Sequence, residues 1–430
     1  MCKNITLKLF QTYFVESTKG MNIAFVGCGF VFDIYMKTIR AHPELQIAGV
    51  FDVKSERMRK VSDYYGFRTY DSYEALLDDT DIDAVVNLTN IGSHFEVSKK
   101  ALMRGKHVYS EKPLTTDLAQ SRELFELAAA HGVRLYAAPS NIFSDSVRTI
   151  FDAVEKGRIG SPRLIYAELD DNPIHLMEFE KVRSATDAPW PVVEEINEGC
   201  TFEHVGYHLV WICGLLGPAV SVTAFSSELL PAKSPLVAGF SGTPDYSVAN
   251  LSFANGAAAR ITCSVVAPRD HRMRVIGDAG EVSADSYRHY QSPVYLERFS
   301  KRSLSARKLH TLRAHPLLGK LFGIGGKRQK LVKNWKSAAV EKDQQMRSSL
   351  RQRLIEFVRR REVYAQDKLV GVAEMAREIE ADEKQFLSPD FLLHLNELTL
   401  LIQGAGPDGV AVKPTTSFEP IGSIPGSIRL

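Results

Sequence analysis

At 430 residues the chain exceeds the roughly 250 to 300 that one hydrophobic core usually serves, so two domains are expected. An apolar fraction of 44% with 24% charged residues excludes a disordered chain, and a net charge of +2 excludes a whole-molecule field that would draw nucleic acid. No nucleic-acid partner is expected.

Residues 1–20 read as an N-terminal extension, because Met21 directly precedes the first strand-like run. From there apolar runs alternate with helix-like stretches: Ile23 to Val26, Ile34 to Ala41, Ile47 to Phe51, Ser55 to Tyr65, Ala84 to Leu88, His94 to Arg104, His107 to Tyr109, Asp117 to Ala130 and Arg134 to Ala137. Strand and helix in alternation predict a doubly wound parallel sheet over residues 21–140, an α/β Rossmann domain. Beyond about Ile150 the strand candidates lengthen: Arg163 to Leu169, Val220 to Ser226, Tyr246 to Phe253, Ala257 to Val266 and Arg272 to Ile276, with an Asn255-Gly256 hairpin signal. These predict an α+β domain with a largely antiparallel sheet over residues 141–403.

Between Arg298 and Lys336 stand twelve Lys/Arg and no Asp/Glu, read as a flexible basic insertion over 298–336. Such a run suits a solvated loop, an anionic surface or a phosphorylated substrate. Helical periodicity returns at Leu350 to Val363 and Phe391 to Gln403, and residues 404–430, rich in Pro, Gly and Ser, are expected to form a poorly ordered tail. The five cysteines, Cys2, Cys28, Cys200, Cys213 and Cys263, are scattered and odd in number, as expected of unpaired thiols in the cytoplasm. The longest apolar stretch, His208 to Val220, is too short and too broken by glycine to cross a bilayer, so no transmembrane segment is expected.

Ile23-Ala-Phe-Val-Gly27-Cys-Gly29-Phe30-Val31-Phe32 places two glycines between a strand and a helix. Gly27 permits the tight turn and Gly29 lets backbone approach a pyrophosphate, with Phe30 and Val31 opening the helix beside it. Phe32 departs from the pattern, since a small residue is usual there. Asp52, ending the second strand, suits the ribose hydroxyls, and its charge favours NAD over NADP. Lys54, Ser55 and Arg57 soften that preference, and Asp52 also suits a helix cap.

Tyr109-Ser-Glu111-Lys112-Pro113 follows a strand, and Glu198-Gly199-Cys-Thr-Phe-Glu-His204-Val-Gly206-Tyr207-His208 opens an apolar helix. With the glycine pair, these segments resemble the glucose-fructose oxidoreductase, inositol dehydrogenase and rhizopine-catabolism family, Gfo/Idh/MocA, over roughly Met21 to Val282 and again near Leu387 to Gln403. The resemblance implies an NAD(P)-dependent oxidoreductase acting on a hydroxyl of a sugar, sugar nucleotide or cyclitol, assembled as a homodimer or homotetramer. It places Lys112 on the nicotinamide ribose and the reacting hydroxyl, and Glu111, Asn90 and His94 at the cofactor. Where the family has Asp-x-Gly-x-His, this chain has His204 in the aspartate's position and His208 at the final histidine. The acid/base is therefore His204, His208 or Tyr207. Spaced four apart, the two histidines also suit a metal pair, but no third ligand is evident and no metal is expected. The polar cluster Glu168-Leu-Asp170-Asp171, with Trp190 nearby, is a candidate for recognising a polyhydroxylated ring, and its carboxylates equally suit a surface loop. Two alternatives remain: a redox-neutral lyase or glycosidase using tightly held NAD, and a non-catalytic NAD-binding regulator.

Overall fold

The structure is a computed structural model that describes residues 20–231, 243–334 and 366–428. The helix expected at Leu350 to Val363 and residues 1–19 of the extension lie outside the described residues.

Ile23 to Val26 and Ala84 to Asn87 are buried at every position, the mark of strands covered on both faces by helices. Five such strands, β1 (Met21–Val26), β2 (Leu45–Phe51), β3 (Ala84–Asn87), β4 (His107–Ser110) and β5 (Leu135–Ala137), form an all-parallel sheet in the order β2-β1-β3-β4-β5. The connection reverses direction between β1 and β3, which opens a crevice at the strands' carboxyl ends. Gly27, Asn90 and Lys112 all follow those ends.

The second sheet has nine strands: β6 (Pro162–Asp170), β7 (Ala219–Ser227), β8 (Tyr246–Phe253), β9 (Ala258–Ser264), β10 (Met273–Gly277), β11 (Gly280–Ala284), β12 (Val294–Arg298), β13 (Lys327–Arg328) and β15 (Val410–Val412). Their order is β13-β12-β11-β10-β6-β9-β8-β7-β15, and only the β6–β9 pair is parallel. β14 (Lys333–Asn334) pairs separately with β16 (Ser427–Ile428).

Three expectations need correction. The helix Val370–Glu380, inside the stretch assigned to the second domain, returns to the first: Leu369, Val372 and Met375 share an apolar cluster with Ile23, Phe25 and Tyr136. Gly371 allows that approach, because a Cβ there would stand 2.5 Å from the Tyr109 hydroxyl. The tail is ordered through residue 428, since β15 extends the large sheet, Phe418 and Ile424 are buried, and Glu397 accepts hydrogen bonds from Thr415 and Thr416. Composition misleads there because a few buried anchors suffice to fix a polar segment. Residues 298–328 of the insertion are structured as well, forming helices Lys301–Ala306, His310–Ala314 and Pro316–Leu321 before β13. Among the described residues no helix is long and apolar enough to cross a membrane.

Candidate active site

Gly27 has φ +100°, and a Cβ on it would lie 2.5 Å from the Leu88 carbonyl oxygen, so only glycine fits the turn. At Gly29 an added Cβ would meet only Arg57 at 3.8 Å, which leaves the backbone open for a cofactor's phosphates. Phe32, where a small residue is usual, is buried edge-on against Phe25 at 5.3 Å. Asp52 accepts hydrogen bonds from the Cys28 amide (2.8 Å) and the Lys54 amide (2.7 Å), with Arg57 3.9 Å away. The residues fit a dinucleotide: the cradle is open and a carboxylate stands at the end of β2.

Phe30 packs against Trp190 with ring centroids 4.8 Å apart, and Trp190 stacks in turn on Phe179. Asp33, three residues on, accepts from the Thr186 amide and hydroxyl at 2.9 and 2.8 Å. The segment carrying Trp190 thus lies over the first helix, and Trp190 meets the cofactor loop rather than the Lys112 cluster. Val31 is half-buried in the same helix, and Asn90 caps the following turn by accepting from the Ser93 amide. His94 does not reach the crevice rim. It is buried, with Nδ1 2.8 Å from the Pro113 carbonyl and Nε2 3.1 Å from the Thr89 carbonyl, so it braces the loop that carries Lys112.

Glu111 gathers three donors: the Tyr35 hydroxyl (2.9 Å), the Lys368 ammonium (2.7 Å) and the Lys112 amide (3.1 Å). Burial pushes its carboxyl up, but Lys368 and Lys112 outweigh burial and hold it down at about 2. The Lys112 ammonium pairs with the Glu203 carboxylate, each side chain 13% exposed. Burial opposes the Lys112 charge, yet Glu203, then Tyr207 and Glu111, keep it above the usual lysine range. Glu203 arrives on the short helix Cys200–His204, which starts at Gly199 (φ +87°) and buries Cys200 and Thr201. Glu195, Glu203 and His204 line one narrow cleft. Burial, then the charge of Glu203, pushes Glu195 up to about 8.

His204 is 5% exposed, with Nε2 3.6 Å from Asp171, while Nδ1 has no hydrogen-bond partner among the described residues. Burial outweighs the Asp171 charge and holds His204 down at about 3, so it is neutral. Asp171 also meets Arg288 at 2.8 Å and His271 at 3.4 Å. Tyr207 turns its hydroxyl to within 3.5 Å of Lys368, its ring 5.1 Å from that of Tyr287.

Besides Trp190 and His94, two more expected site residues, His208 and Asp170, are elsewhere. His208 is fully buried, its Nε2 2.9 Å from the Glu168 carbonyl and its Nδ1 accepting from the Trp211 indole at 3.0 Å. Both nitrogens are engaged, and burial holds its pKa down at about 3, so no proton-carrying position is left. Asp170, pushed up to about 6 by burial and then Glu168, is hydrogen-bonded with Ser264 rather than paired with Arg288 as Asp171 is. Asp171 belongs to the polar cluster the sequence singles out, whereas Glu203, Glu195, Arg288 and Lys368 were not anticipated. Glu203 had a visible signal, a carboxylate one residue before the unexpected histidine, whereas Lys368 had none. Among the described residues no cluster of three or more His, Cys, Asp or Glu could hold a metal.

A glycine-turned crevice beside a parallel sheet and a lysine–carboxylate pair at its edge define an NAD(P)-dependent oxidoreductase acting on CH–OH groups. A profile described as "Oxidoreductase family, NAD-binding Rossmann fold" matches residues 21–138, and "GFO/IDH/MocA C-terminal domain" matches 147–283. The chain belongs to the Gfo/Idh/MocA family. It is similar to a myo-inositol 2-dehydrogenase of Thermotoga maritima, 25% identical over 62% of this chain and 76% of that one. Similarity to a dTDP-3,4-didehydro-2,6-dideoxy-alpha-D-glucose 3-reductase of Streptomyces violaceoruber is 29% identity over 37% of this chain and 46% of that one. The solved WlbA dehydrogenase of Bordetella pertussis, in complex with NADH and UDP-GlcNAcA, shares the fold at TM-score 0.64 and 17% identity, over 92% of this chain and 98% of that chain.

Proposed function

We propose that the chain interconverts a secondary alcohol and a ketone on a sugar, sugar nucleotide or cyclitol, using NAD(H). The observation that carries this reading is the buried Lys112–Glu203 pair at the crevice, with Glu195 behind it. Gly27, Gly29 and Asp52 would hold the dinucleotide, whose nicotinamide, when bound, takes up or supplies the hydride.

Lys112 holds the substrate oxygen and stabilises negative charge on it as the hydroxyl loses its proton. Glu203 takes that proton in oxidation and returns it in reduction, sharing it with Glu195, whose raised pKa suits proton exchange near neutrality. His204 stands 3.6 Å from Asp171 through Nε2, and its buried Nδ1 has no partner among the described residues, so a small rotation of the ring would offer a nitrogen to a substrate hydroxyl. Its low pKa makes it an orienting acceptor rather than a proton carrier. Tyr207 stands beside Lys368 and turns the same wall of the site toward the ring.

NAD is favoured because the Asp52 carboxylate repels a 2′-phosphate. Around the reacting centre Lys112, Lys368 and Arg288 are matched by Glu203, Glu111 and Asp171, which supports an uncharged ring there. The basic insertion does not argue for a substrate phosphate: β13 stands four strands from β6, about 19 Å at the usual strand spacing. The relatives named for myo-inositol and a dTDP-sugar support the same substrate range.

The test is NADH absorbance on adding NAD+ with sugar nucleotides, free sugars and cyclitols. One class is expected to yield NADH, and Lys112→Met is expected to slow its formation about 100-fold or more. Unchanged turnover in Lys112→Met overturns the reading, and bound cofactor without any net NADH points to redox-neutral chemistry.

A further inference from the structure

A surface outside the active site has a chemistry of its own. Helices Lys301–Ala306, His310–Ala314 and Pro316–Leu321 expose large apolar side chains: Leu304 at 46%, Leu309 at 58%, Leu317 at 73% and Leu321 at 68%. Water-facing leucines at this density mark a contact surface. Lys301, Arg302, Lys308, Arg313 and Lys320 are exposed among them, and none of these five has a carboxylate partner among the described residues. No acidic residue occurs between Arg298 and Lys336.

We propose that this face docks on an anionic phospholipid surface, with the leucines entering the headgroup boundary and the cations meeting lipid phosphates. An interfacial surface combines exposed apolar side chains with Lys/Arg, and these helices expose both: Leu317 and Leu321, four apart, share a face of the third helix with Lys320 beside them. A polyanion without an apolar layer would use the cations but leave the leucines in water. Nucleic-acid surfaces add exposed aromatic rings for stacking, and here Phe322 is covered by the Arg302 guanidinium, 4.8 Å from its ring. A second copy of this chain would set this field against itself, because a twofold contact joins the same patch on both partners.

The platform is preformed, so docking need not order a loop. Glu297 accepts from Arg307 and from the Gly325 amide at 2.8 Å, which ties the first helix and the following turn to the end of β12. Ser300 and Ser303 cap the first helix reciprocally, and Ala306 and Gly319 are buried beneath the helices. The surface lies at the β13 edge of the nine-stranded sheet, four strands from β6, so docking leaves the catalytic crevice accessible.

The test is flotation of the full chain with vesicles of phosphatidylcholine alone and of phosphatidylcholine with phosphatidylglycerol, at low and high salt. Binding is expected only with the anionic vesicles. At about fivefold per cation, K301E/R302E/K320E is expected to weaken it at least a hundredfold. L317S/L321S is expected to weaken it about tenfold or more, with NAD(H) binding unchanged in both variants as the sign of an intact fold. A control, R40E/R122E/K384E, carries the same charge change on other exposed positions and is expected to float like the parent. Equal binding to neutral vesicles, no binding at all, or full retention in L317S/L321S each overturns the proposal. So does equally tight binding to heparin or DNA that ignores the leucines, which would make the face a general polyanion site.

Discussion

Glu203→Gln separates what the Lys112–Glu203 pair does for stability from what it does for chemistry. Both side chains are 13% exposed, so neither charge is well solvated. Removing one partner of such a pair costs about 3 to 5 kcal/mol, because the other charge stays buried. Glutamine keeps the shape of Glu203 but leaves Lys112 to Glu111, which already serves Lys368 and Tyr35. Lys112→Met strands Glu203 beside Glu195 in the same way. In Lys112→Met/Glu203→Gln both charges go, so the double variant is expected to be more stable than the sum of the two losses predicts, by about 2 kcal/mol or more. Turnover is expected to fall about 100- to 10,000-fold in all three, since the proton acceptor or its cation is missing in each. Urea titrations give the stabilities and initial NADH rates at saturating substrate give the turnover. Strictly additive stabilities would refute the pairing. Turnover within tenfold of the parent in Glu203→Gln would refute Glu203 as the proton acceptor.

Burial and then the charge of Glu203 raise the Glu195 pKa above its ordinary 4.5, so between 4.5 and that raised value the native state holds an extra proton and stability falls as pH rises. Glu195→Gln is expected to grow more stable relative to the parent between those pH values, and a urea midpoint gap that does not widen counts against the assignment. His204 and His208 have the opposite sign: held at about 3 against an ordinary 6.5, they leave the unfolded chain with more protons, and stability is lost as pH falls from about 6.5 toward 3. His208→Leu is expected to flatten that acid slope in a pH series of thermal melts, and an unaltered slope would show that His208 charges without cost. Asp52→Asn is expected to narrow the preference for NAD over NADP by removing the charge that repels a 2′-phosphate, measured as the ratio of kcat/KM values for the two cofactors. Gly27→Ala is expected to lose cofactor binding in a fluorescence titration, because its Cβ would meet the Leu88 carbonyl at 2.5 Å. Normal affinity would mean the turn relaxes freely.

What the sequence made legible was periodic or local. Strands buried on both faces declare themselves as apolar runs, and a glycine turn before a helix marks the crevice. Orientation within an element was harder. Glu203 pairs with Lys112 while His204, one residue on, turns to Asp171. One residue reverses a side chain on a strand and rotates it about a quarter turn on a helix. His208 fits the family's spacing, yet the Glu168 carbonyl and the Trp211 indole claim both its nitrogens, a partnership that only tertiary packing could reveal. The 404–428 segment misled for the converse reason, since composition averages over the few residues, such as Phe418, that anchor it.

Lys368 shows why the Lys112 site depends on chain far from it. It precedes a helix that packs on the parallel sheet through Val372 and Met375, so the apolar burial of that helix delivers an ammonium to Glu111. Glu111 is buried next to Lys112, and without Lys368 it would draw Lys112 away from Glu203 or take up a proton. In either case the reacting lysine would lose its fixed position. The second domain acts through the same logic, because Glu203 and Asp171 come from separate elements and each matches a cation that the other cannot reach. Stability and catalytic geometry are therefore set by one arrangement of three ion pairs. A substitution that fails to pair one of them is expected to show in both.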